Sequence, residues 1–142
     1  MENLSILIAG RAGDGIDKSS LIIGRILGQL GYNIYIYRDY PSIIRGGHTF
    51  SIIRCSVDKI AAHSDKVDVL IALNQDSIDF HKSRLTGGKS LIIYDSTSVK
   101  SDTGMAIPAG GIIKEAKALD LMRNSCMIGA MCRAIGIEKD IL

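Results

Sequence analysis

The 142-residue sequence has no tryptophan and contains only two phenylalanines, two prolines and three cysteines. Five tyrosines complete its aromatic set, so aromatic rings cannot fill most of a core of this size. The core must come from Ile, Leu, Val and Ala, and isoleucine is frequent. Because β-branched side chains favour buried strands, this composition predicts a core rich in β-structure.

Strong charge and long apolar runs are also missing. The net charge is only +2, which does not support binding to nucleic acid or to a membrane surface. No apolar run approaches the ~18 residues of a membrane span. The amino-terminal MENLSILIAG begins with an acid and breaks at Gly10, unlike a secretory signal. We therefore expect a cytoplasmic protein.

The three cysteines, Cys55, Cys126 and Cys132, form no CxxC pair. Iron–sulfur clusters usually need four thiolates at short spacing, so these three alone are unsuited to one. Reduced, buried thiols are expected, and no metal site is predicted.

Short apolar runs alternate with segments of helical periodicity. Strands are predicted at 4–9, 33–38, 48–57, 67–73, 90–95 and 104–109, and helices at 16–30, 75–85, 112–121 and 124–136. This alternation predicts a single α/β domain over 1–142, a Rossmann-like three-layer α/β/α fold with a mostly parallel, mixed central sheet. About nine residues precede the third strand, too few for a parallel crossover, so it should run antiparallel or lie at a sheet edge.

A glycine-rich turn, GRAGDGI, separates the first strand from the first helix. Its N–H groups and the helix amino terminus favour a phosphate or carboxylate, with Asp17 or Ser19 as the capping residue. The spacing matches neither G-x-G-x-x-G nor the Walker pattern, and Asp14 places a negative charge where a phosphate would bind. A turn needed only for packing is the alternative. The candidate binding residues here are Gly10, Arg11, Gly13 and Gly15.

The stretch YPSIIRGGHTF places a cation, two glycines and an imidazole before the third strand. The glycine pair allows positive φ, which would hold Arg45 outward as a fork for a carboxylate or phosphate. His48 is able to donate, accept or take a proton near neutral pH. A loop reversal with a solvated Arg and a packed His is the alternative. The candidates are Arg45, Gly46, Gly47 and His48.

Polar residues also follow two later strands. Asn74 and Asp95 each lie where a strand ends, and strand carboxyl ends line ligand crevices in open α/β sheets. Asn74 is equally suited to cap the next helix, so both roles remain open. His81, beside Lys82 and Arg84, is interpreted as a surface residue. Methionines 122, 127 and 131 are interpreted as core residues.

The stretches GRAGDGI, YRDYPSIIRGGHTFSIIRCS, VDVLIALNQDSIDFH and NSCMIGAMCRAIG together resemble the γ-type domain of 2-oxoacid:ferredoxin oxidoreductases. The chain is particularly similar to the form fused at the amino terminus of the α subunit of 2-oxoglutarate or general 2-oxoacid enzymes. The Tyr40–His48 loop is the most specific part. Asp14 departs from the family pattern, which usually has Gln there. In fused subunits a thiamine-binding domain follows, and it is not in this sequence, so we expect a γ-type domain cut short at its carboxyl end.

The resemblance implies part of an enzyme that converts a 2-oxoacid and coenzyme A to acyl-coenzyme A, CO2 and reduced ferredoxin. Thiamine diphosphate, Mg and iron–sulfur clusters are implied in the thiamine-binding α and β subunits or domains, with no cofactor in this domain. Ferredoxin would be an indirect partner. The domain would help coenzyme A reach the active site, hold no catalytic residue and be inactive alone. Arg45 and His48 would contact coenzyme A, the 2-oxoacid or a partner subunit.

Two other functions remain open at this point. A free-standing nucleotide-binding Rossmann-like module would have an acid at the end of its second strand, and Asp39 stands there. A pure assembly domain would bind no ligand. Pyruvate, 2-oxoglutarate and branched-chain 2-oxoacids all suit the resemblance, and the fused form favours 2-oxoglutarate.

Overall fold

Strands and helices alternate along the chain, as predicted. The computed structural model describes residues 2–40 and 46–138. The strands are β1 (Asn3–Arg11), β2 (Asn33–Asp39), β3 (His48–Ser56), β4 (Val69–Ala72), β5 (Leu91–Asp95) and β6 (Met105–Ile107). The helices are α1 (Ile16–Gln29), α2 (Gln75–His81), α3 (Ala109–Glu115) and α4 (Arg123–Ala134), with 3₁₀ turns at Lys82–Arg84 and Asp120–Met122.

The strands form one six-stranded mixed sheet in the order β2-β3-β1-β4-β5-β6. β1, β4, β5 and β6 pair in parallel, whereas β3 is antiparallel to both β1 and β2. The predicted antiparallel direction of β3 is confirmed, but an edge position is wrong because β3 lies between β2 and β1. As a result, β1 and β2 are parallel without being neighbours, and the first βαβ unit is split by β3.

Two aliphatic cores cover the two faces of the sheet. Ile6 and Ile8 of β1 point toward α1 and α4, whereas Leu7 and Ala9 point toward α2, as the two-residue period of a strand requires. These four side chains are 0% exposed. Burying an Ile or Leu side chain contributes roughly 1.5–3 kcal/mol, so β1 anchors both layers of the predicted α/β/α fold.

The methionines divide between core and surface. Met127 and Met131 of α4 are fully buried, which confirms their predicted packing role. Met122 is 51% exposed, so its assignment to the core is wrong. It lies in the 3₁₀ turn before α4, where the chain has not yet reached the face that packs on the sheet. Among the described residues, no helix is both long enough and apolar enough to cross a bilayer.

Candidate functional site

The candidate residues meet at one edge of the sheet. Because β1, β4 and β5 are parallel, their carboxyl ends lie together, and the antiparallel β3 begins at this same edge. The register pairs Arg11, the last residue of β1, with His48, the first residue of β3. Asn74 lies two residues after the end of β4. The sheet order therefore brings Arg11, His48 and Asn74 to a common rim, which we call the carboxyl rim.

The glycine turn after β1 engages its own N–H groups. Gly13 and Gly15 adopt φ values of 102° and 77°, which a side chain would disfavour. The Asp14 carboxylate accepts a hydrogen bond from the Arg11 N–H at 2.8 Å. The Ala12 N–H donates to the Gly47 carbonyl at 2.8 Å. Two donors that an external anion would use are thus occupied, one of them by a carboxylate that belongs to the turn.

The Asp14 carboxylate also explains why position 10 is glycine. A Cβ at Gly10 would lie 2.8 Å from Asp14 Oδ2 and 3.3 Å from the Leu73 Cβ. The distance to Asp14 Oδ2 is too short for a carbon–oxygen contact, so a side chain at position 10 would push the Asp14 carboxylate away from Arg11. Gly10 and Asp14 therefore belong to one compact turn.

The predicted cap of α1 is wrong. Gly15 occupies the N-cap position and supplies no side-chain cap. Asp17 instead accepts a hydrogen bond from the Tyr40 hydroxyl at 3.1 Å and lies 3.8 Å from Arg38 Nε. Ser19 accepts from the Asn124 amide at 3.0 Å. Both side chains bind neighbouring elements, so the first turn of α1 is held by tertiary contacts.

The Arg-Gly-Gly-His stretch lies partly outside the described residues, because Arg45 falls in the gap at 41–45. Gly46 has a φ of 78°, the positive value that the glycine pair predicted. The Gly47 carbonyl is bound to the glycine turn through Ala12. His48 Nε2 lies 2.7 Å from His81 Nε2, and its ring is edge-on to Phe80 with centroids 5.0 Å apart.

His81 is buried, and its interpretation as a surface residue is wrong. Its side chain is 3% exposed, packed against the Phe50 ring with centroids 4.6 Å apart. Burial lowers the pKa of His81 to about 4, helped by His48 and Arg84. Burial also lowers the pKa of His48, although Asp76 and Asp39 oppose that shift. The pair is therefore neutral at pH 7, with one imidazole donating to the other.

Asn74 performs the capping role that the sequence suggested. Its Oδ1 accepts from the Ser77 N–H at 3.0 Å and from the Ser77 hydroxyl at 2.6 Å. Asn74 is only 7% exposed, and its Nδ2 has no hydrogen-bond partner within residues 2–40 and 46–138. Because Oδ1 accepts from Ser77, the orientation of the Asn74 amide is fixed. The two N–H groups on Nδ2 are then left to donate to another group.

Two residues of the rim escaped the sequence interpretation. Arg123, the first residue of α4, donates from Nε to the Asp95 carboxylate at the end of β5. Asn124 donates to the Asp14 carbonyl at 2.6 Å and so joins α4 to the glycine turn. The position of Asp95 after a strand was the available signal for this contact. Arg123 has no comparable signal, because the packing of α4 alone brings it to the rim.

A crevice runs along the carboxyl rim. It consists of two adjoining cavities of about 240 and 220 Å³ that share Asp14, Leu73 and Arg123. The second cavity is also lined by Arg11, Asn74 and Ser98. Space, cations and hydrogen-bond donors thus coincide at the rim. Within the described part of the chain, no three His, Cys, Asp or Glu side chains are placed to hold a metal ion.

Comparisons with known proteins give a consistent family. The family model described as pyruvate ferredoxin/flavodoxin oxidoreductase matches residues 5–142. The α subunit of a 2-oxoacid:ferredoxin oxidoreductase from Sulfolobus sp is 32% identical over 92 residues, which cover 65% of this chain. That match covers 14% of the relative, so the chain spans only a small part of the curated α subunits it resembles.

Solved structures share the fold. The 2-oxoglutarate:ferredoxin oxidoreductase from Magnetococcus marinus, solved with 2-oxoglutarate, coenzyme A and succinyl-CoA bound, matches with a TM-score of 0.84 at 25% identity. The match covers 99% of this chain and 26% of that one. The γ subunit of a keto/oxoacid ferredoxin oxidoreductase from Geobacter sulfurreducens PCA matches with a TM-score of 0.83 at 22% identity, covering 99% and 81%. The predicted α/β architecture is confirmed.

Proposed function

The chain belongs to the pyruvate ferredoxin/flavodoxin oxidoreductase family, and we propose that it is the γ-type part of a thiamine-dependent 2-oxoacid:ferredoxin oxidoreductase. The complete enzyme would convert a 2-oxoacid and coenzyme A to acyl-coenzyme A and CO2, and two electrons would pass to ferredoxin. The family match over residues 5–142 carries this proposal. The likeness to an enzyme solved with coenzyme A and succinyl-CoA supports it.

The cofactors are assigned to other subunits or domains. Thiamine diphosphate supplies the carbanion chemistry and iron–sulfur clusters carry the electrons in such enzymes. Thiamine-binding domains contain a GDG motif that is followed about 30 residues later by a pair of asparagines. The GDG at 13–15 has no such partner; it lies in the turn that opens α1, where Gly15 occupies the N-cap position. The proposed partners are the thiamine-binding α and β subunits, and the isolated chain is expected to be inactive.

The proposed role of this chain is to admit coenzyme A and to hold the complex together. The carboxyl rim supports the first role, because Arg11, Asn74 and Arg123 line one crevice. Arg11 is exposed at the mouth of the crevice, where its guanidinium suits a phosphate of coenzyme A that stays outside the cavity lined by Asn74. Arg45 and His48 remain candidates for contact with coenzyme A or with a partner subunit. A cytoplasmic location is part of this proposal.

The nucleotide-binding alternative is not favoured. In dinucleotide folds the acid at the end of the second strand reaches the ligand because the second strand neighbours the first. Here β3 lies between β1 and β2. Asp39 is therefore one strand further from the glycine turn than that function requires.

Purification from the native host under anaerobic conditions tests the proposal. The tagged chain should co-purify with thiamine-binding subunits and show iron–sulfur absorbance. It should also support coenzyme A-dependent dye reduction with one member of a panel of pyruvate, 2-oxoglutarate and branched-chain 2-oxoacids. We favour 2-oxoglutarate. A colourless chain that purifies alone and shows no such activity would contradict the proposal.

Two variants separate ligand contact from assembly. Arg11→Ala and Arg45→Ala should each raise the KM for coenzyme A or the 2-oxoacid in an intact complex, whereas Arg25→Ala on the exposed side of α1 should not. If Arg45→Ala weakens assembly and leaves every KM unchanged, Arg45 is an interface residue.

A further inference from the structure

We infer that the Asn74 side of the crevice binds a neutral amide group, and that it does not bind a phosphate. The amides of the pantetheine arm of coenzyme A are groups of this kind. This inference rests on the proposed function, because coenzyme A is the ligand that would bring such amides to the carboxyl rim.

The first argument is the unpartnered amide of Asn74. Asn74 is only 7% exposed, and hydrogen bonds from Ser77 to Oδ1 fix the orientation of its amide. Within the described ranges, Nδ2 has no acceptor. Leaving a buried donor unpaired is unfavourable, so a ligand oxygen at this point would remove that penalty.

The second argument is charge. The cavity that Asn74 lines contains the cations Arg11 and Arg123 but also the carboxylates Asp14 and Asp76. Arg123 is moreover paired with the buried Asp95. The cations are therefore matched or exceeded by carboxylates, and a doubly charged phosphate would add repulsion to a site with no surplus of positive charge. A neutral group avoids that repulsion.

The third argument is size and the kind of hydrogen bond on offer. The cavity of about 220 Å³ holds several waters at ~30 Å³ each, but it is smaller than the roughly 300–1,000 Å³ of pockets that enclose whole ligands. It therefore suits one segment of an extended ligand. An amide has both an acceptor and a donor, and the cavity offers the Asn74 amide to the former and the Asp76 carboxylate to the latter.

The test uses the complete enzyme complex with two substitutions. Asn74→Asp keeps an acceptor for Ser77 but replaces the donor, and Asn74→Ser keeps a cap without adding charge. Asn33→Asp, the same chemical change on an exposed residue at the opposite edge of the sheet, is the matched control. Binding of coenzyme A, 3′-dephospho-coenzyme A and pantetheine is measured by equilibrium dialysis and competition, after size-exclusion chromatography shows assembled complexes.

Both Asn74 variants should weaken all three ligands about tenfold, because all three contain the pantetheine amides. Asn33→Asp should change none of them. Weakening that spares pantetheine would overturn the inference in favour of a phosphate site. If Asn74→Asp weakens binding and Asn74→Ser does not, the effect comes from the added negative charge, and the inference is overturned. If the wild-type complex binds coenzyme A and neither Asn74 variant differs, only this inference fails; if the wild type does not bind coenzyme A, the proposed function fails with it.

Discussion

Arg123, the first residue of α4, is held against Asp95, the last residue of β5. Its Nε donates to the Asp95 carboxylate, and its Nη2 donates to the Thr97 and Ser98 hydroxyls at 2.9 and 3.2 Å. The Asp95 side chain is 0% exposed. Burial by itself raises the pKa of Asp95, but hydrogen bonds from Thr97 and Arg123 outweigh it and lower the pKa. The ion pair thus attaches the last helix to the rim of the sheet.

Removing the cation should destabilise the fold. Arg123→Met would leave the Asp95 carboxylate buried without its partner. Because the Arg123 side chain is 31% exposed, we expect a loss below the usual range for buried pairs, about 2–3 kcal/mol of the free energy of unfolding at pH 7. Urea denaturation at pH 7 measures this loss.

Two controls accompany that measurement. Arg133→Met, an exposed position on the same helix, should cost under about 0.5 kcal/mol. Adding Asp95→Asn to Arg123→Met should recover part of the loss, because the unpaired charge is then gone. A double variant less stable than Arg123→Met would argue against an electrostatic cause.

The His48–His81 pair should make stability depend on pH. Because burial lowers the pKa of His81 to about 4, the unfolded chain, with a histidine pKa near 6.5, binds a proton that the folded chain excludes. The stabilisation is complete above pH 6.5 and is lost as pH falls toward 4. The His81 share reaches about 3 kcal/mol. Urea denaturation at several pH values between 4 and 7.5 measures it.

His81→Gln should flatten this pH dependence. The matched variant is His63→Gln, whose imidazole is half-buried and stacked on Tyr37 with centroids 4.3 Å apart. If the buried pair is the cause, the slope between pH 4 and 6.5 should fall more in His81→Gln than in His63→Gln. An unchanged slope in His81→Gln would mean that other groups titrate in this range.

Alanine variants of two glycines should distinguish the cost of backbone strain from the cost of a steric clash. Gly104 and Gly87 have nearly the same φ, 106° and 105°. A Cβ at Gly104 would lie 2.6 Å from the Ile92 carbonyl oxygen, whereas one at Gly87 would meet nothing within 4 Å. Gly87→Ala should therefore cost about 1–2 kcal/mol through strain, and Gly104→Ala a further 1–3 kcal/mol through the clash. Equal losses in urea denaturation would refute the clash.

The thiol of Cys55 should resist alkylation in the folded protein. It is 1% exposed, and burial raises its pKa to about 11, so little thiolate forms at pH 8. Iodoacetamide should label the half-buried Cys126 first, as measured by peptide mass spectrometry. In denaturant all three cysteines should react. Rapid labelling of Cys55 without denaturant would indicate that β3 opens locally.

Local patterns in the sequence were enough to predict the individual elements. The apolar run at 4–9 predicted β1, and the glycines after it predicted the turn that opens α1. The short link before β3 predicted its antiparallel direction. For Asn74 a helix cap and a ligand-crevice role both stayed open, because each depends on its position after a predicted strand; the structure confirms the cap.

Contacts between distant residues were not predictable in this way. His81 lies 33 residues from His48, and its charged neighbours Lys82 and Arg84 indicated a surface position. Only the insertion of β3 between β2 and β1 brings His48 over α2. Arg123 likewise lies 28 residues from Asp95, and nothing in its local sequence distinguishes it from a solvated arginine.

The sequence by itself determined the alternation of strands and helices, the glycine turn and the family, because each depends on residues that are close in the chain. The tertiary structure decided the order of the strands, the burial of His81 and the Arg123–Asp95 pair. It also decided the position of the Asn74 amide nitrogen, which has no acceptor among residues 2–40 and 46–138. The physical reason is that the two-residue and 3.6-residue periods specify which face of an element is buried. They do not specify which element covers that face. The pairing of strands across the sheet determines which elements come into contact.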